Sequence, residues 1–119
     1  MSKILLALMV FATSALAADF TGKWSGEGIT NGESHSIYLI LKQDGNTLTG
    51  SGGPDANELH DFKSARIDGT RIILEIAVGD KGTLHFELEA DGEGLKGTVQ
   101  FSREDEKESG PVTFKRVTG

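Results

Sequence analysis

Every second residue from Leu84 to Ala90 is apolar: Leu84, Phe86, Leu88 and Ala90, with His85, Glu87 and Glu89 between them. A period of two belongs to a strand with one face in a core and the other in water. The run from Leu95 to Phe101 repeats it, setting Leu95, Gly97, Val99 and Phe101 against Lys96, Thr98 and Gln100. No later stretch sustains a helical period, and short aliphatic and β-branched runs alternate instead with glycine-rich punctuation. The pattern predicts strands at about 20–30, 35–43, 47–52, 61–67, 70–78, 83–90, 95–102 and 111–117. Longer loops are expected around Gly53 to His60 and over the acidic run Arg103 to Gly110.

The punctuation has its own chemistry. Asp44-Gly45-Asn46, Asp68-Gly69 and Asp91-Gly92 supply the positive φ that tight hairpins need. One hairpin is written twice: Leu41, Asp44, Gly45, Leu48 and Gly50 recur as Leu88, Asp91, Gly92, Leu95 and Gly97 at a constant offset of 47. Duplication and convergence on good hairpin chemistry both account for that echo.

About eight short strands with short connections leave two exposed edges unless the sheet closes. An all-β fold, an antiparallel up-and-down barrel, is therefore expected, with a β-sandwich as the alternative. Inward glycines at Gly22, Gly26, Gly50 and Gly97 let a coiled sheet bend. Up-and-down order puts the segments 30–35, 53–60, 79–82 and 103–110 at one end.

Phe20, Gly22 and Trp24 share one face of the first strand, and Val112, Phe114 and Arg116 share one face of the last. The pattern Gly22-Lys23-Trp24, with Phe114-Lys115-Arg116, resembles the calycin superfamily of lipocalins, fatty-acid-binding proteins and avidins. The resemblance implies that Trp24 packs at the closed end and that Arg116 lies across its ring as a cation–π contact. Leu48-Thr49-Gly50 also looks like the hairpin of avidin-type barrels. Avidins hold biotin with several tryptophans; here Trp24 stands alone, so biotin binding is not implied. The short chain lacks the carboxy-terminal helix of ordinary lipocalins. It looks closer to small bacterial barrels, including periplasmic inhibitors of secreted metalloproteases.

The amino terminus changes the setting. Lys3, the apolar run Ile4 to Ala12, and Ala15-Leu16-Ala17 form the three parts of a secretory signal. Thr13 and Ser14 interrupt the run short of the roughly 20 residues a membrane span needs. The expected organisation is a signal peptide at 1–17 and a single barrel domain at 18–119, exported to a bacterial periplasm or secreted, with no stable membrane insertion after cleavage. With no cysteine, the domain folds without disulfides. The net charge of −6 argues against nucleic acid and against anionic membranes as partners.

Candidate chemistry is sparse. His60 with Glu58 and Asp61 is the one local cluster, and its spacing matches no established metal site. Ser34, His35 and Ser36 alternate across a strand and cannot converge. Neither a catalytic set nor a cofactor loop can be assembled, so the expectation is a non-enzyme without a cofactor or metal. Tyr38, Ile40 and Ile73 fall on outward positions and mark a candidate interaction surface. Two readings follow. One is a binding module for a small apolar or mixed ligand at the open barrel end. The other is a protein-interaction module, such as a periplasmic protease inhibitor or envelope accessory factor, acting through loops or an outer face. A cavity of about 300 Å³ or more favours the first. An interior filled by Phe86, Phe101, Phe114, Leu39 and Ile76 favours the second.

Overall fold

The computed structural model describes residues 19–117; the expected signal peptide lies outside them. The strands are β1 Gly22–Thr30, β2 Glu33–Asp44, β3 Thr47–Asp55, β4 Glu58–Asp68, β5 Arg71–Val78, β6 Gly82–Asp91, β7 Gly94–Arg103 and β8 Glu106–Arg116. They form one closed barrel in sequence order, with every neighbouring pair antiparallel and β1 paired to β8. The barrel, not the sandwich, is the architecture.

The strands run further than the alternation predicts. The expected loop at 53–60 is a hairpin in which β3 reaches Asp55 and β4 begins at Glu58. The expected acidic loop is also mostly strand, because β8 starts at Glu106 and pairs with β7 from Arg103↔Glu106 onward. Charged side chains at these ends hid the strands, since both faces meet water beyond the rim. Backbone pairing to a neighbour, not burial, sustains them there.

Two-residue turns fit this tight frame. Gly45, Gly69 and Gly92 each follow a strand-ending aspartate and hold φ of 66°, 68° and 64°. Glycine at the first central position is the signature of the II′ hairpin, whose twist matches the strands. Asn31 and Gly32 both hold positive φ, as a type I′ turn requires.

Inward positions build the core: Leu39 and Leu41, Ile72, Leu74 and Ile76, Phe86 and Leu88, Leu95 and Val99, Val112 and Phe114 are all buried. One end is plugged. Phe20 and Trp24 are each 2 % exposed, and Trp24 Nε1 donates to the Phe20 carbonyl at 3.0 Å. The Phe20 amide donates to Gln43 Oε1, and the Gln43 amide to Thr21 Oγ1, both at 2.9 Å. Arg116 Cζ lies 4.2 Å from the centre of the Trp24 ring, while its two terminal nitrogens donate to the carbonyls of Thr21 and Asp19. Trp24 and Arg116 are also register partners across the closing pair. Gly22 makes room for the guanidinium: a Cβ there would stand 2.7 Å from Arg116 Nη1.

The repeated hairpin is repeated in space. Leu41 pairs with Gly50, and Leu88 with Gly97. A Cβ at Gly50 would lie 2.0 Å from the Ile40 carbonyl oxygen, and one at Gly97 would lie 1.9 Å from that of Glu87. Each glycine lets its strand coil against the residue preceding the partner leucine. Since β2–β3 and β6–β7 lie across the barrel from each other, the sheet bends at two opposed points.

One seam is weaker. The β3–β4 pair aligns only Ser51↔Asp61, Gly52↔His60 and Asp55↔Glu58, with a register shift between them. Consecutive residues Leu48–Ser51 and Asp61–Ala65 therefore border an open cleft of about 530 Å³ between the two backbones.

Two substitutions test this account. Gly97→Ala forces a backbone shift and is expected to cost about 1–3 kcal/mol of unfolding free energy. Arg116→Ala removes the cation–π contact and two hydrogen bonds to carbonyls, and is expected to cost about 1–2 kcal/mol. Urea denaturation followed by Trp24 fluorescence measures both. Wild-type midpoints would contradict the closure mechanism.

Candidate functional site at the open end of the barrel

The plug at one end leaves the other end unfilled, for reasons visible in the side chains. Towards the β1–β2, β3–β4, β5–β6 and β7–β8 turns, no ring among the described residues plugs the interior as Trp24 and Phe20 do at the other end; Ile37, Val99, Leu39 and Ile76 pack over Gly28 and Gly52 instead. A cavity of about 470 Å³ results. Its apolar wall is made by Ile37, Ile76, Val78, Leu84, Val99 and Phe101. Leu39, Ile76, Phe86 and Phe114 are buried, but Phe101 is only half-buried and borders the cavity rather than filling it. Val78 remains 38 % exposed at the rim, an apolar side chain without a cover.

Polar groups gather at the mouth. Thr30, His35, Ser36, Glu58, His60 and Glu108 all line the cavity. His60 Nε2 stands 4.0 Å from Glu58 Oε2, and both side chains are more than half exposed. Asp61, the third member of the expected local cluster, does not line this cavity but borders the β3–β4 cleft. No group of three or more metal-ligating side chains converges among the described residues.

The residues singled out from the sequence fall elsewhere. Trp24 and Arg116 close the opposite end. Tyr38 and Ile40 are half-buried on the outer face of β2, and Ile73 is half-buried on the outer face of β5. β3 and β4 separate those two strands, so the three side chains do not form one patch. The mouth residues Thr30, His35, Glu58, His60 and Glu108 lie in the segments expected at one end of the barrel, but the sequence reading did not join them into a site because they come from β1, β2, β4 and β8. Glu108 had one usable signal: it lies in phase with Val112 and Phe114, the inward positions of β8.

A second polar cluster lies outside, on β5 and β6. His85 Nδ1 is 3.0 Å from Glu75 Oε2, and its Nε2 is 3.1 Å from Glu87 Oε2. Arg71 joins through Glu87 Oε1 at 3.2 Å. A neutral imidazole has only one N–H, whereas carboxylates only accept, so both hydrogen bonds form together only on the protonated ring. The hydrogen bond to Glu75 raises the His85 pKa most; partial burial opposes it, and Glu87 adds to the rise. This network is a structural clamp across two strands.

None of the known protein families and no curated protein matches this sequence.

The clamp has a defined pH sign. Because the folded-state pKa of His85 is raised, its stabilisation is fully present below the ordinary histidine value of about 6.5 and is lost as pH rises through the folded value. Comparing the denaturant midpoints of wild type and His85→Gln across this window should show the wild-type advantage growing as pH falls. An advantage independent of pH would remove the clamp.

Proposed function

We propose that this protein is a non-catalytic binding module that takes a small ligand with an apolar body into the open end of its barrel. The cavity of about 470 Å³ carries this reading, because it sits within the range of small-molecule sites and joins an apolar wall to a polar mouth. The closed end supports it too: Phe20, Trp24 and Arg116 plug one end of the barrel and leave the mouth at the other end open. Alternation in strands such as β5, β6 and β7 supports a barrel that works in water. Charged residues such as Lys23, Glu75, Glu87 and Lys96 stand on the outer wall, whereas a lipid-facing barrel carries an apolar band there.

The Trp24–Arg116 contact and the up-and-down order support kinship with the calycin superfamily. The amino-terminal pattern supports export, with the periplasm as the place of action. The protein-interaction reading is supported less, since Tyr38, Ile40 and Ile73 are half-buried and divided between two parts of the wall.

Binding of the neutral fluorophore N-phenyl-1-naphthylamine tests the proposal. Its emission is expected to rise and shift to the blue with saturable, one-site binding. Leu84→Trp places an indole in the cavity wall and is expected to weaken that binding by at least about tenfold, a change of about 1.4 kcal/mol. Circular dichroism establishes that the variant is folded. A folded wild type that fails to bind the fluorophore, or a folded Leu84→Trp that binds it as well, contradicts the reading.

A further inference from the structure

Among the described residues, one buried polar side chain at the mouth of the cavity has no hydrogen-bond partner. Thr30 is the buried polar side chain of the described residues, at 8 % exposure, and it lines the cavity. Its hydroxyl takes part in none of the side-chain hydrogen bonds among those residues. A hydroxyl taken from water without a replacement partner is costly, so such a group is ordinarily satisfied by something bound beside it.

Its surroundings specify the charge of that something. Thr30 ends β1, next to β8. A Cβ on Gly110 would stand 3.5 Å from Thr30 Cα, which places the two strands in close contact there. Glu108 is the next inward residue of β8 towards the rim, and it is half-buried. Glu58 lines the mouth from β4, across the barrel. Neither lysine nor arginine lines the cavity. The nearest inward cation in sequence, Arg103, is exposed at the end of β7 opposite Glu106, and Lys81 is held 3.2 Å from Glu104 on the turns. His35 and His60 complete the ring, with His60 beside Glu58.

We infer that the ligand is an amine: an apolar body seated in the barrel, with a protonated nitrogen at the mouth donating to the Thr30 hydroxyl and to the Glu108 carboxylate. An ammonium offers only donors, and a threonine hydroxyl and a carboxylate both accept. A carboxylate head group would instead face Glu58 and Glu108 with no lysine or arginine on the wall. This inference rests on the proposed function and assigns the chemical class of the ligand at that same site.

An eight-carbon series separates the two claims. Octylamine, octanol and octanoate share a body and differ in head group. Each is titrated against bound N-phenyl-1-naphthylamine near pH 7 in about 0.15 M salt, where charges beyond about 8 Å are largely screened. Octylamine is expected to displace the fluorophore at least about tenfold better than octanoate, with octanol between them. Thr30→Val and Glu108→Gln are each expected to lower the amine-to-alcohol affinity ratio several-fold. Glu93→Gln, on a turn at the plugged end, tests general attraction to an acidic protein and is expected to leave the ratio unchanged.

If the fluorophore binds and octanoate competes as well as octylamine, the amine assignment is overturned while the cavity reading stands. An unchanged ratio in both folded site variants, or a ratio that falls equally in Glu93→Gln, also overturns it. Failure of the fluorophore to bind overturns the cavity reading and the assignment together.

Discussion

Trp24 on β1 and Arg116 on β8 face each other across the pairing that turns a sheet into a barrel. Without that pairing, two strand edges would stand open and the apolar faces of eight strands would have no common interior. Joining the first strand to the last carries a loop-closure cost, since the Arg116 to Thr21 hydrogen bond spans 95 residues. The floor offsets it with several contacts made at one place. An indole and a phenyl ring are buried there, a guanidinium stacks on the indole, and backbone carbonyls of Asp19 and Thr21 accept from that same guanidinium. Gly22 is part of the device, because any larger residue would displace the arginine.

Filling one end decides what the other end becomes. Large side chains are spent on the floor and waist, where Trp24, Phe20, Phe86 and Phe114 pack to interior density. Towards the mouth, the smaller side chains of Thr30, Ile37, Ile76, Leu84 and Val99 line the space that remains. The remaining space is apolar in its wall and polar at its rim, which is the general form of a small-molecule site. The opposed hairpins around Gly50 and Gly97 let the sheet coil closely enough to close on itself.

Much of the fold was legible because β-structure writes itself locally. Period-two alternation exposed the cores of the strands, and Asp-Gly pairs located the turns within a residue or two. The strand ends were less legible. Charged and glycine-containing strand ends break the alternation, so Gly53 to His60 and Arg103 to Gly110 read as loops although the backbone is paired almost to the turn. The end of the barrel that holds the candidate site was legible from up-and-down order, but the residues that face it were not. Thr30, His35, Glu58, His60 and Glu108 are scattered over the chain, and each alone looks like an ordinary surface residue. Tyr38, Ile40 and Ile73, which stood out from the sequence, turned out to be divided by two intervening strands.

The sequence by itself determined an all-β chain, the number of its strands and the chemistry of its turns, which depend on alternation and on neighbours a few positions apart; the contact of Trp24 with Arg116 was implied only by the resemblance to calycins. Tertiary structure alone decided that the interior is plugged at one end and hollow at the other. It alone brought one unsatisfied hydroxyl and two carboxylates to a single entrance. The reason is geometric. A cavity is the difference between the volume a closed wall encloses and the volume its side chains occupy, and the enclosed volume exists only once β8 has returned to β1.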